Sequence, residues 1–196
     1  MIRIPLLSAL FALASCAVAS AAEPTTDPLT LSAPAAAPAP LDHRWSFEID
    51  GVGMADVTNR HVQMGGARLG IGYYAAEQFA FRAELTSYGV STSDGDAAAV
   101  QGSLGFRHHV YQIGPTSLFI DVDFGLFEAA HRVPSHGTDF NLTFDTGVGL
   151  ERPIADNLDL VAGIRYFHLS NARLEGPDRN PSLNGPQAFI GISFRR

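Results

Sequence analysis

His168 and Ser170 stand two residues apart in the run Gly163-Ile164-Arg165-Tyr166-Phe167-His168-Leu169-Ser170-Asn171-Ala172. An imidazole beside a hydroxyl is the minimum equipment for ester hydrolysis, because a serine is a weak nucleophile until a neighbouring base takes its proton. Side chains alternate across a strand, so residues i and i+2 share a face about 7 Å apart at Cα, within reach of each other. The same parity places Leu158, Leu160, Ala162, Ile164 and Tyr166 with them, and Asp159 and Arg165 on the opposite side. An apolar strip ending in a base and a hydroxyl does not suit a soluble sheet. It suits a membrane β-barrel with hydrolytic groups on its outer wall.

The rest of the chain supplies such a barrel. From Trp45 onward it breaks into segments of about ten residues, the length of a membrane-crossing strand. Trp45, Phe47 and Ile49 oppose Ser46, Glu48 and Asp50; Ala67, Leu69, Ile71 and Tyr73 oppose Arg68, Gly70 and Gly72. Phe79, Phe81, Ala83 and Leu85 oppose Arg82, Glu84 and Thr86, and Val100, Leu104 and Phe106 oppose Gln101, Ser103 and Arg107. Leu118, Ile120, Val122, Phe124 and Leu126 face away from Asp121 and Asp123; Leu142, Phe144, Val148 and Leu150 face away from Asn141, Asp145 and Gly147. The Leu158 strand follows, and Ala188, Ile190, Ile192 and Phe194 close the series against Gln187 and Ser193.

These segments predict an all-β fold, an eight-stranded antiparallel transmembrane barrel of the outer-membrane type, over residues 43–196. The competing architecture is a soluble barrel with its apolar face inside. Charges of both signs in mid-strand, among them Glu48, Arg68, Arg82, Asp121 and Arg165, instead predict a salt-bridged lumen and lipid outside. Eight strands leave an interior filled by side chains, which disfavours a channel. Phe194 is the expected terminal aromatic, with Arg195 and Arg196 at the periplasmic headgroups.

Targeting agrees. Residues 1–22 read as a secretory signal peptide, with Arg3, an apolar core over 4–14 and the small-residue site Ala19-Ser20-Ala21. The alternative is a lipoprotein box, Leu13-Ala14-Ser15-Cys16, acylated at the chain's one cysteine. Cleavage beyond that cysteine leaves no thiol, which excludes disulfides and cysteine catalysis. Residues 23–42 are a Pro/Ala/Thr tract expected to be a disordered leader. The formal charge of −7 argues against a nucleic-acid partner.

With both barrel ends in the periplasm, odd-numbered strands rise toward the cell surface. The seventh then ends at the exterior, which sets His168 and Ser170 at outer-leaflet depth. The lipid there is lipopolysaccharide, whose lipid A anchor carries ester-linked acyl chains.

Arg165-Tyr166-Phe167-His168-Leu169-Ser170-Asn171-Ala172, then Asn180-Pro181-Ser182-Leu183-Asn184-Gly185 and a final strand, resemble the PagL-type lipid A 3-O-deacylases, broadly labelled acyloxyacyl hydrolases. The likeness is tightest over about the last thirty residues. It implies a serine esterase of the bacterial outer membrane with Ser170 as nucleophile, His168 as general base and Asn171 helping to stabilise the oxyanion. No metal or cofactor is implied; the partners are lipopolysaccharide and the outer membrane, with a homodimer as a further option. The family sets a glutamate after its Pro-Asn-x-Gly turn to orient the histidine, whereas this chain reads Asn184-Gly185-Pro186-Gln187-Ala188. Asp178 and Glu175, in the preceding loop, are the carboxylates that could stand in, Asp178 slightly preferred. Gln187 could also hold the ring, although its phase points into the barrel. A serine–histidine pair without its acid still works, more slowly. The rival reading is a non-catalytic barrel with a structural or adhesive role.

Other residues invite chemistry less strongly. Adjacent His108 and His109 point to opposite faces of a strand and cannot chelate one ion. His131 and His136 fall in the loop between the fifth and sixth strands without a supporting cysteine or carboxylate cluster. Ser93-Asp94-Gly95-Asp96 reads as an extracellular turn rather than a calcium loop.

Overall fold

A strand with one apolar and one charged face is stable in a bilayer only if every backbone group is paired, and a closed sheet achieves this. The computed structural model describes residues 44–58 and 61–196. The expected signal peptide (1–22) and leader (23–42) lie outside the described residues, as does Cys16. The strands are β1 (Trp45–Ala55), β2 (Gln63–Ala76), β3 (Phe79–Thr92), β4 (Gly95–Ile113), β5 (Thr116–Val133), β6 (Thr138–Ala155), β7 (Leu158–Ser170) and β8 (Leu183–Arg195), with a short 3-10 turn over Pro177–Arg179. Each pairs antiparallel with its chain neighbour, and β1 pairs with β8 to close the barrel.

The strands run longer than ten residues. β4, β5 and β6 reach 19, 18 and 18, because their hairpins continue past the apolar belt as paired ribbons. At one end lie Trp45 and Arg196, joined by backbone hydrogen bonds, and the short turns at 77–78, 114–115 and 156–157. The opposite end carries the longer connections 56–62 and 171–182. Short turns mark the periplasmic side of such barrels and long loops the exterior.

Polarity is inverted relative to a water-soluble barrel. Leu104 and Phe124 are 69% and 61% exposed, whereas Arg107 and Arg165 are 1% and 2% exposed. The soluble alternative is thereby excluded. Inside, Arg82 bridges Glu48, Glu84 and Asp121, and Arg107 bridges Glu48 and Asp121. Arg68 pairs with Asp50, and its guanidinium also lies 4.6 Å from the centroid of the Phe189 ring. Arg195 departs from the expected headgroup position. Its guanidinium turns inward to Glu151 and Asp159, leaving Phe194 as the outward aromatic. Buried carboxylates near the periplasmic mouth attract it more strongly than the solvated interface.

Toward the exterior the lumen changes character. Val52, Met54, Met64, Val90, Phe127, Phe167, Leu169 and Leu183 form an apolar plug. The lumen thus holds ion pairs in the middle and hydrocarbon above them.

Space for the charges comes from glycine. A Cβ at Gly147 would sit 2.2 Å from the Ile164 carbonyl oxygen and 2.8 Å from Cγ of Arg165. Gly147→Ala should therefore displace β7 or the Arg165 stem and cost about 1–3 kcal/mol, the usual penalty of overpacking. The urea midpoint of the detergent-folded barrel measures this; an unchanged midpoint would show that the two strands can move apart freely.

Candidate active site

β7 carries the site because its two faces do different work. The inward residues Phe167 and Leu169 are fully buried against Leu183 in the plug, which pins the strand on both sides of His168. Outward, parity gives Ile164, Tyr166, His168 and Ser170 in order up to the outer rim. Ser170 is the last residue of the strand. His168 and Ser170 are both half-buried, so they remain accessible from the lipid side.

The two side chains are in contact. Nε2 of His168 lies 3.1 Å from Oγ of Ser170. Nδ1 lies 2.6 Å from Oδ1 of Asn184, its register partner on β8. The Tyr166 hydroxyl donates to the same Oδ1 at 2.6 Å. An amide oxygen only accepts, so Nδ1 must carry the hydrogen. The other nitrogen then presents a lone pair to the serine, the arrangement a general base requires.

Asn184 is held in turn by the β1–β2 loop. Its backbone N–H donates to Oδ1 of Asp56 at 3.1 Å, and its carbonyl accepts the Val57 N–H at 2.8 Å. Oδ1 of Asp56 also accepts the N–H and hydroxyl of Thr58.

The other anticipated residues lie elsewhere. Glu175 pairs with Arg179 at 2.5 Å across one turn of the loop, on the solvent side. Asp178 lies within the 3-10 turn and is exposed. Neither carboxylate occupies the place beside Nδ1, because the β7–β8 register delivers Asn184 there directly. Asn171 points away from the lipid face and is 2% exposed. Its Nδ2 donates to the Arg179 carbonyl and its Oδ1 accepts the Arg173 N–H. That amide secures the turn in which Ala172 and Arg173 take positive φ, so its atoms are engaged in loop structure rather than aimed at Ser170. Gln187 is inside the barrel, donating to the Tyr88 hydroxyl.

Asn184 is the residue that sequence reasoning missed. The signal was available: counting back from Ile190 through Ala188 and Pro186, it falls on the outward face of β8.

His108 and His109 do face opposite ways, His109 meeting Ser117 and Tyr74 inside while His108 is exposed. His131 and His136 line an outer cleft of about 500 Å³ with Asp94 and Asp139. A hydrogen bond from Ser135 holds the Asp94 carboxyl below its ordinary range. Among the described residues, no three histidine, cysteine or acidic side chains converge as a metal site.

Comparison with known proteins places this geometry in context. The family model for lipid A 3-O-deacylase (PagL) matches residues 67–193, well over half of the chain. Among solved structures, Neisserial surface protein A (NspA) is similar with a TM-score of 0.61 and 14% identity, covering 78% of this chain and 97% of that one. The outer membrane enzyme PagL is similar with a TM-score of 0.53 and 16% identity, over 75% of this chain and 98% of that one. At these identities the two structures speak for the eight-stranded fold alone. No curated protein matches the sequence significantly.

Proposed function

The chain belongs to the lipid A 3-O-deacylase (PagL) family, and on that premise we propose that it is a serine esterase removing an ester-linked acyl chain from lipid A. Its location is the bacterial outer membrane. One observation carries the catalytic reading: a serine, a histidine and a hydrogen-bond acceptor in sequence on the lipid-facing side of the barrel's outer rim.

The steps follow from the positions of the atoms. Oγ of Ser170 attacks the ester carbonyl as Nε2 of His168 takes its proton. The histidine passes that proton to the departing sugar hydroxyl, leaving the acyl chain on the serine. Water, deprotonated by the same nitrogen, then releases the fatty acid and restores the hydroxyl. Below the pair, Ile164, Ile190 and Ala188 continue the apolar wall, a surface along which an acyl chain lies while its ester reaches Ser170. A single barrel supplies every residue named, so no second copy is needed.

Expression in a host lacking lipid A deacylases, followed by mass spectrometry of lipid A, tests the reading. Loss of one acyl chain, with the matching free fatty acid, is expected. Unchanged lipid A with a correctly folded barrel would instead support a non-catalytic outer-membrane protein. The specific observation favouring that rival is the amide, not a carboxylate, beside Nδ1 of His168.

A further inference from the structure

We propose that Asn184 is the positioning residue for His168, so that this esterase runs on a neutral Ser170–His168–Asn184 relay anchored by Asp56. The inference rests on the esterase reading and adds to it the group that orients the base. Three observations converge on it. Asn184 is the residue directly across the β7–β8 ladder from His168, so its place is set by backbone pairing rather than by a loop. Its Oδ1 accepts from both Tyr166 and His168, which fixes the amide orientation and with it the histidine tautomer. Its backbone is held at both N–H and C=O by Asp56 and Val57 of the β1–β2 connection, which ties the site to the strand that closes the barrel.

A neutral acceptor has a distinct chemical consequence. It orients the ring as a carboxylate would, yet adds no negative charge to stabilise the imidazolium that forms when the proton moves. Among the described residues, the side chains that meet the ring nitrogens are Ser170 and Asn184, neither of them charged. On β6 the outward residues alongside are Leu142, Phe144 and Thr146; β7 contributes Tyr166 and Ser170. β8 contributes Asn184, and the nearest carboxylate in the relay, Asp56, contacts the Asn184 backbone rather than the ring. Converting the amide to a carboxylate should thus change the charge at Nδ1 while keeping the shape.

The test compares full-length Ser170→Ala, Asn184→Ala and Asn184→Asp barrels on purified lipid A in detergent micelles. Folding is scored by the mobility shift between unheated and heated samples on SDS gels. If Ser170→Ala retains activity, the esterase assignment itself fails and the relay falls with it. With Ser170→Ala inactive, Asn184→Ala is expected to lower kcat about ten- to a hundredfold at unchanged KM, since the ring loses its orienting partner but the lipid surface is intact. Asn184→Asp is expected to keep or exceed the parent kcat and to move the acid limb of the pH profile upward, because a carboxylate favours the charged imidazole. A folded Asn184→Ala within twofold of the parent overturns the relay alone. Should Asn184→Ala not fold, the isosteric Asn184→Asp decides: a shifted acid limb supports the contact, and a superimposable profile overturns it.

Discussion

Lipid A from cells expressing the Ser170→Ala barrel is expected to keep its full acyl set, with deacylation reduced on the order of 10⁴-fold or more. Removing the nucleophile of a hydroxyl–imidazole unit removes the covalent route as a whole, and the residual rate comes from binding and positioning alone. His168→Ala should be nearly as severe, and the double variant no worse than either single one, since the two act as a unit. Stability should hardly change. Ser170 is half-buried at the end of β7, and its hydroxyl meets His168 on the lipid side, away from both the ion network and the plug. Surface changes of that kind stay within about 0.5 kcal/mol. Heat-modifiable mobility and the mass spectrum of lipid A check both halves. Deacylation at the parent level by both single variants would remove the esterase assignment; a variant that fails to fold would contradict the proposed separation of site from core.

That separation was largely legible in the sequence, for a physical reason. Parity is the one regularity a strand imposes on every residue, and it sorted lipid-facing from lumenal side chains throughout. Leu104 against Arg107 and Ile164 against Arg165 are found on the predicted sides. Strand length was less legible, because the ends of β4, β5 and β6 extend beyond the apolar belt, where no polarity contrast marks them. The apolar plug was hidden as well. Around Phe167 and Leu169 the lumenal face is apolar and the lipid face carries His168 and Ser170, so the polarity contrast that parity reads elsewhere is reversed there.

At the site, the serine and histidine were readable because they are neighbours on one strand, and what orients the histidine was not. The search went to carboxylates, by chemical type, in the loop of Glu175 and Asp178. The answer depended on register, which pairs His168 with Asn184 across the ladder. Register between β7 and β8 is set by which residues fill the lumen, notably Leu169 paired with Leu183, and therefore by packing that a single strand does not display. Asn171, whose oxyanion role is what the resemblance implies, is the first residue past β7, and its side-chain amide bonds to the backbone of the loop that follows.

Arg165→Met should destabilise the barrel by about 3–5 kcal/mol, the cost of leaving buried Asp123 without its cation and taking one from Glu84 and Asp121. Its guanidinium lies 3.0 Å from Oε2 of Glu84, 2.6 Å from Oδ2 of Asp121 and 3.1 Å from Oδ2 of Asp123. No neighbouring arginine can take over all three contacts, since Arg82 and Arg107 are already committed to Glu48 and Asp121. The loss should appear as a lower urea midpoint and a lower temperature of the heat-induced mobility shift. Neutralising the stranded partner as well, in Arg165→Met with Asp123→Asn, should recover part of it, which a simple packing defect would not allow. Arg165 also lies only three residues from His168 on the same strand, facing the lumen while the imidazole faces lipid. Activity per folded barrel should therefore stay near the parent value even as the folded fraction falls. A midpoint shift under about 1 kcal/mol would mean that water reaches the lumen and screens the stranded carboxylate. A fall in kcat per folded molecule would mean that the ion network transmits to the catalytic face, and that β7 is less rigid between Arg165 and His168 than its buried Phe167 implies.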